Sequence, residues 1–485
     1  MGQEIKEVRI GRGPPLELRV LNDPGPVSIR KILGPGLLLA ALGVGMGETF
    51  MWPRLVIVFG PEVRWIATVG LIIQVFVTME IARWTYFTGE SIFVAGKRIH
   101  PIIMWYFYLV AIMVYIWPGH VITGSGALGL LLGMDWVPIG IASLIAIAAV
   151  LILSPYQVYK TVKTILLIAI SIMIAVSLIV AVLVGTPTMW GQALYGTVAF
   201  GYWTDAMSTK TWLPLIVGAM AFIGPSGMQQ MWYTLWAREE GSGMGAYMPK
   251  ITGLIFGKEE KWTDKAYIFD TNVDEEIDKW KRWRRLNIYD AWISLGLITF
   301  LTTIFFTVLS MAAAQMSPEA LATIKAGKTL PAISAIAKAF TAINPVLYPL
   351  WFIVMFLVGW KMSFGIFDAF ARGQADMTFH IFKRAQRWSM RRWYYIWVLI
   401  VTVVGIITTL LGAAKGPVFL LDVLAFLSPL IMGSYCLLLL YVNNKMVPKR
   451  IRMSWVSTLV LAGGACFYLI SLFYCTFVVG AIPSG

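Results

Sequence analysis

The sequence predicts an all-α integral membrane protein of eleven transmembrane helices, built as a five-plus-five inverted repeat with one helix appended and with helices 1 and 6 discontinuous. Three observations lead there. The 485 residues are 58% hydrophobic and 13% charged, whereas soluble domains sit near about 45–50% and about 25%; that surplus needs an apolar solvent as well as an apolar core. Eleven apolar runs have the length of a bilayer span. Two of those runs, five helices apart, are interrupted by glycine and proline at mid-depth.

A spanning helix takes about 17–25 apolar residues bounded by charges or by Gly and Pro. The runs that meet this are 34–60, 63–88, 101–131, 137–158, 160–185, 212–236, 287–313, 343–371, 393–413, 418–442 and 455–481. Residues 1–33 read as a cytoplasmic N-terminal tail: Glu4, Lys6, Glu7, Arg9 and the Gly13-Pro14-Pro15 run leave no compact apolar stretch for a cleaved signal peptide. Residues 34–481 form a single transmembrane domain, with external loops at 186–211 and 314–342 and a cytoplasmic loop at 237–286. That last loop mixes both signs of charge with Trp262, Tyr267, Trp280 and Trp283, a composition suited to the headgroup level.

An odd number of spans places the termini on opposite sides, and the cations choose the orientation. Lys279, Lys281, Arg282, Arg284 and Arg285, then Arg387, Arg391 and Arg392, then Lys449, Arg450 and Arg452 all fall on one side if the N-terminus is cytoplasmic and the C-terminus external. The net charge of +14 is therefore a topology signal, not a nucleic-acid face, since it is scattered between apolar spans. Prokaryotic plasma membrane is the expected location, lipid the expected partner and a monomer the expected state. Cys436, Cys466 and Cys475 lie in late apolar stretches and support neither a disulfide framework nor a thiolate metal site.

Span 1 carries Gly34-Pro35-Gly36 and then Gly43-Val44-Gly45-Met46-Gly47-Glu48; span 6 carries Gly224-Pro225-Ser226-Gly227-Met228-Gln229-Gln230. Such runs cost a helix order and hydrogen bonds. Broken backbone survives at membrane depth only where it is buried in protein or lines a cavity, and its freed carbonyls and half-helix ends then serve as ligands. Spans 1–5 and 6–10 are thus expected to be the two halves of an inverted repeat, each led by a broken helix. The plain alternative is that these glycines only let helices pack closely.

These residues resemble the NRAMP family of divalent-metal transporters, which have the LeuT-type fold. In that family the first helix reads Gly-Pro, several apolar residues, then Asp-Pro-Gly-Asn; here Gly34-Pro35 is followed at the matching distance by Gly45-Met46-Gly47-Glu48. The family's sixth helix carries Met-Pro-His after a glycine, and here the run from Gly224 reaches Met228-Gln229-Gln230. Tyr441-Val442-Asn443-Asn444-Lys445 is similar to the family's Asn-Arg stretch. The resemblance spans most of the chain, and its departures fall on the chemistry. The family's metal-binding aspartate corresponds to Gly45 and its asparagine to Glu48; its sulfur ligand corresponds to Met228; its helix-six histidine corresponds to Gln230, which cannot titrate. An acidic pair on the third helix corresponds to Trp117 and His120. The resemblance implies a binding site formed by Glu48, Met228, Gln229, Gln230, Gly45 and Gly224, and it places this chain among divergent members.

Ionisable groups within spans are functional candidates. Glu48, Arg54, Glu80, Asp290, Lys361, Asp368 and Asp422 qualify, and His120 joins them. Lys361 and Asp368, seven apart, share a helix side and are expected to pair or to couple ion movement, together with His120. Arg54 reads as structural, its stem free to snorkel outward; Glu80 and Asp290 read as paired with Arg83 or loop cations.

The expected function is secondary transport of a divalent cation (Mn2+, Fe2+ or Mg2+) by alternating access, with the metal as cargo and no cofactor. A thioether beside a carboxylate favours Mn2+ or Fe2+ over Ca2+. The alternatives are an ion-coupled carrier of a small organic solute such as an amino acid and, from another class, an ion channel or a non-transporting membrane protein. An enzyme is not expected, because no HExxH pair, nucleophile elbow or nucleotide-binding loop occurs.

Overall fold

With no water in the hydrocarbon core, backbone N–H and C=O groups must find partners inside the chain, which long apolar runs achieve as helices. A computed structural model describes residues 7–26, 34–316, 344–412 and 417–482, with scattered positions between 317 and 343. Among the described residues, nine helical stretches are long and apolar enough to cross a membrane, from Pro35–Phe59 to Trp455–Val478. The chain is an integral membrane protein.

The helices used below are α1 Pro35–Gly43, α2 Trp52–Phe59, α3 Trp65–Thr88, α4 Pro101–Tyr115 and α5 Gly119–Leu132. They are followed by α6 Trp136–Ile152, α7 Val158–Val184, α8 Leu213–Ala221, α9 Gln229–Glu239 and α10 Asp274–Tyr289. The last five are α11 Ile298–Met316, α12 Tyr348–Ile381, α13 Met390–Leu411, α14 Phe419–Tyr441 and α15 Trp455–Phe473.

Burial sorts these helices into an inner and an outer set. Every residue of α8 and α9 is buried, and so are all of α1 but Leu37. Outer helices present isoleucine and leucine outward, as with Ile168, Ile172, Ile179 and Leu183 of α7 and Leu459 and Ile470 of α15, the surface that acyl chains solvate. Helix α12 packs along α5, α13 and α7, α14 packs along α8 and α15, and α11 packs along α2. The two interrupted segments therefore sit at the centre of the bundle.

Three boundaries depart from the sequence expectation. Helix α12 continues to Ile381, beyond the predicted end at 371, because Arg372 and Asp376 find ion-pair partners inside the bundle and so do not mark a solvent boundary. The helix of span 7 begins well before 287: α10 runs through a wide π turn, Asp290–Leu297, directly into α11. The 186–211 connection carries a short helix, Pro187–Gly196, instead of plain loop. Most of the predicted 314–342 loop lies outside the described residues.

The tail and the 237–286 segment fold on each other. Strand β1 (Glu7–Val8) pairs antiparallel with β2 (Leu16–Leu18), which runs parallel to β3 (Ala266–Ile268). Leu21 N–H donates to the Glu276 carboxylate at 2.5 Å. The guanidinium of Arg98, paired with Glu90 at 2.7 Å, holds the carbonyls of Ile10 and Pro14 at 3.1 and 3.0 Å. This sheet and the clusters of lysine and arginine lie at one end of the bundle, called the basic end below.

Candidate functional site: the crossing of two interrupted helices

Helix α1 stops at Gly43, Val44 and Gly45 follow outside regular helix, and the chain re-enters through a π turn, Gly47–Met51, before α2. Helix α8 stops at Ala221, and α9 starts only at Gln229. The glycines allow these two segments to cross in contact. A Cβ at Gly43 would stand 2.8 Å from Gly224 Cα, and one at Gly47 would stand 1.8 Å from the Phe222 carbonyl oxygen. Gly224 and Gly227 have φ of +83° and +51°, a backbone conformation other residues rarely adopt. Close packing and interruption are thus the same feature here, not rival explanations.

Glu48 fastens the crossing. One carboxylate oxygen accepts the N–H of Gly224 at 2.6 Å and the other accepts the N–H of Gly45 at 2.9 Å. A carboxylate accepting two backbone donors satisfies both breaks with one side chain, and such charge-assisted bonds are the strong ones. Glu48 itself is fully buried. Thr49 Oγ1 donates to the Gly45 carbonyl at 2.8 Å, and Met46 N–H points at Met362 Sδ at 3.1 Å.

Lys361, on α12, supplies the cation. Its Nζ donates to the carbonyls of Ala41 and Val44 at 2.6 and 2.5 Å, two acceptors at the open C-terminal end of α1. Those carbonyls carry the negative end of the helix dipole. Glu48 lies within electrostatic range of Lys361. The pairing of Lys361 with Asp368 expected from their spacing is absent. Asp368 is bonded instead to Arg372 at 2.7 Å, Tyr394 OH at 2.9 Å and Trp236 Nε1 at 3.0 Å. Seven residues along a helix span about 10 Å, which puts the two side chains in different layers of the protein.

The second interruption is held by tyrosine and glutamine. Tyr115 OH donates to the Ser226 carbonyl at 2.7 Å and accepts from Met228 N–H at 2.9 Å. Gln230 donates to the Gln74 carbonyl at 2.7 Å and to Thr78 Oγ1 at 3.0 Å, and accepts from Tyr435 OH at 2.5 Å. Gln229 donates to Ser226 Oγ at 3.3 Å, while its own oxygen is buried with no partner among the described residues. His120 is buried and stacks on Phe222, ring centroids 5.8 Å apart, with no partner for either ring nitrogen among the described residues. The sulfur placed against the first break is that of Met362; a Cβ at Gly45 would lie 1.9 Å from it.

Ion pairs close both sides of the crossing. Toward the basic end, Arg372 joins Asp368 to Glu239 at 2.5 Å, Arg238 meets Asp376 at 2.9 Å, and Glu80 is bonded by Arg83, Arg284 and Ser457. Toward the other end, Arg54 meets Asp422 at 3.1 Å, with its side chain buried and not snorkelling outward. Asp290 likewise departs from expectation: it caps α1 through Gly36 N–H at 2.7 Å and accepts from Tyr233 OH at 3.3 Å, where a loop cation was expected. Among the described residues no group of three or more His, Cys, Asp or Glu could hold a metal ion. A cation at the crossing would therefore meet one carboxylate, backbone carbonyls and thioether sulfur.

Met362, Tyr115 and Arg64, a buried arginine whose guanidinium lies over the Trp52 ring, escaped the sequence reading. Met362 carries a signal, being adjacent to Lys361; Tyr115 carries none, since an aromatic at a helix end reads as packing.

No family model matches the sequence, and no curated protein matches it. Solved structures do. The chain is similar to a point mutant of the Eremococcus coleocola manganese transporter at 14% identity and a TM-score of 0.63, covering 96% of this chain and 92% of that one. It is also similar to that transporter in complex with an aromatic bis-isothiourea substituted compound, at 14% identity and a TM-score of 0.62, over 93% and 89% of the two chains. The chain thus has the transporter fold that the NRAMP resemblance led us to expect.

Proposed function

We propose that this protein is an NRAMP-like secondary transporter that moves a divalent metal cation by alternating access, with Mn2+, Fe2+ or Mg2+ as cargo. The observation that carries the reading is Glu48, whose two oxygens take one N–H from each interrupted segment. Each oxygen of Glu48 keeps a second lone pair for a cation, and a cation bound there draws on the same negative charge as the two N–H groups, so binding weakens the bonds that tie the crossing. Loosening there is what allows one half of the bundle to rock against the other. The name of the similar solved structures, a manganese transporter, supports a metal as cargo.

In this reading the apolar α6 and the α8–α9 pair join the nine long stretches to make eleven spans. Helices 1 and 6 are the discontinuous leaders of a LeuT-type five-plus-five repeat within one transmembrane domain. The basic end faces the cytoplasm with the N-terminus, and the C-terminus is external. Met228, Gln229, Gln230 and His120 remain candidate ligands or coupling groups at the second interruption.

One observation favours the second reading, an ion-coupled carrier of a small organic solute such as an amino acid. Lys361 already occupies two of the carbonyls that a metal would use.

Purified protein in liposomes separates the two. Uptake of Mn2+ that falls at least about tenfold in Glu48→Gln, as loss of an ionic ligand implies, supports metal transport. Amino-acid uptake without Mn2+ uptake selects the organic solute. Uptake of none of Mn2+, Fe2+, Mg2+ or amino acids, or metal uptake indifferent to Glu48→Gln, overturns the site.

A further inference from the structure

Glu48 and Trp52 are one helical turn apart on the re-entrant part of the first broken helix, so they share a face. Over the Trp52 ring, with its guanidinium carbon 4.9 Å from the ring centroid, lies Arg64. Arg64 is 1% exposed, and Nε, Nη1 and Nη2 all lack a hydrogen-bond partner among the described residues. Trp52 Nε1 is buried and equally without one. Glu48 is within electrostatic range of Arg64, but its oxygens are engaged by Gly45 and Gly224. On α11, which packs along α2, the hydroxyls of Thr299 and Thr303 are buried and unpartnered among the described residues, and Thr299 abuts Gly224.

A buried guanidinium lying over an indole, with neither set of N–H donors meeting an acceptor among the described residues, is the complement of an anion. A guanidinium left unpaired in a low-dielectric interior is among the costliest arrangements a chain can carry, whereas other buried arginines here, Arg54, Arg98, Arg238 and Arg372, each meet a carboxylate. Charge points the same way: Lys361 and Arg64 set two basic groups against the one carboxylate of Glu48, and a single negative charge would balance them. The guanidinium presents a planar fork, which matches the two coplanar oxygens of a carboxylate better than a spherical ion.

We propose that Arg64 and the indole N–H of Trp52 form an anion subsite, one helical turn from Glu48, that takes a carboxylate group. The subsite goes beyond the transport reading and does not depend on which cargo moves. A carboxylate there would be either a small free anion or the acid group of a carried solute.

Isothermal titration of the purified full-length protein with sodium formate tests this, with sodium chloride as the spherical-anion control. Saturable formate binding, weakened about tenfold or more in Arg64→Gln by the loss of charge-assisted bonds and less in Arg64→Lys, is the expected result. Trp52→Phe keeps an aromatic face beneath the guanidinium and removes the N–H together with the pyrrole ring that carries it; its weaker formate binding keeps the test decisive should Arg64→Gln fail to fold. Absence of saturable formate binding, binding of chloride in preference to formate, or equal binding by wild type and both Arg64→Gln and Trp52→Phe overturns the subsite. Competition by amino acids against formate would identify a solute's acid group as the source, and its absence a free anion. Glu48-dependent Mn2+ uptake is read separately, so failure here leaves that reading standing, and the reverse holds too.

Discussion

The carboxylate of Glu48 and the backbone N–H of Gly224, 176 positions apart in the chain, meet at 2.6 Å and tie the two interrupted helices together. Glu48→Gln removes the charge and turns one of the two acceptors into an NH2 group that faces a backbone N–H. One buried donor is then left unsatisfied, at about 1–3 kcal/mol. A thermal unfolding midpoint several degrees below wild type is expected in detergent; an unchanged midpoint would show that the two bonds do not hold the crossing.

Gly47 and Gly45 are both closely opposed, but by different things. A methyl at position 47 meets the backbone oxygen of Phe222, which cannot yield, while one at position 45 meets the end of the flexible Met362 side chain. Gly47→Ala is therefore expected to lose more folded, monodisperse protein than Gly45→Ala. Truncating the obstacle, Gly45→Ala with Met362→Ala, should restore part of the single variant's loss. Equal yields for the two single variants would remove the distinction.

Lys361→Met keeps the stem of the side chain and deletes both bonds to Ala41 and Val44. Buried carbonyls without a donor cost about 1–3 kcal/mol each, so the unfolding midpoint should drop. Sodium at about the Debye-screening range of 0.1 M should recover part of that drop in the variant and not in the wild type, since a cation can take up the freed carbonyls. No recovery, with wild type and variant equally indifferent to sodium, counts against Lys361 holding a cation position.

Asp368 and Arg372 are both fully buried and bonded at 2.7 Å. Arg372→Met should cost about 3–5 kcal/mol, because it strands the buried Asp368, and Asp368→Asn less, because Arg372 keeps Glu239; the double variant should cost clearly less than the sum. The same cycle between Asp368 and Lys361 should be additive within about 0.5 kcal/mol. Strong coupling in that second cycle would reinstate the pairing that sequence spacing suggested.

The sheet between the tail and the basic-end segment should respond to acid. Lys265 bonds Glu17 at 2.6 Å and holds its carboxyl below the ordinary value of 4.5. A lowered carboxyl contributes stability that is present above 4.5 and lost as pH falls through the lower, folded-state value. Lys265 is held above its ordinary 10.5, so the pair weakens on the alkaline side only as pH rises past that. Amide exchange of Leu16–Leu18, corrected for intrinsic rate, should be constant near neutrality and accelerate only below that acid limit. In Glu17→Gln the acid step should vanish; its survival would assign the pH dependence elsewhere.

The bundle was legible because lipid makes span length and helix interruption matters of composition. Apolar runs bounded by charge gave the helices, and Gly43 to Glu48 with Gly224 to Gln230 gave the two interruptions, since glycine and proline act on the backbone locally. Partnerships were not legible. From spacing, Lys361 and Asp368 share a helix side, yet a side chain chooses partners across elements, and what stands opposite Lys361 is the open end of α1 and not another residue of its own helix. Arg372 and Asp376 looked like a solvent boundary for the same reason: the charges that bury them, Glu239 and Arg238, come from α9. The sequence by itself determined that the chain lies in a bilayer, where its helices fall and where two of them break, because those depend on residues within a few turns of one another. Only the tertiary structure decided that Glu48 answers both breaks, that Lys361 sits on α1's carbonyls and that Arg64 lies over Trp52 with no hydrogen-bond partner among the described residues. A buried charge is energetically defined by what surrounds it in three dimensions, and its surroundings come from residues far away in the chain.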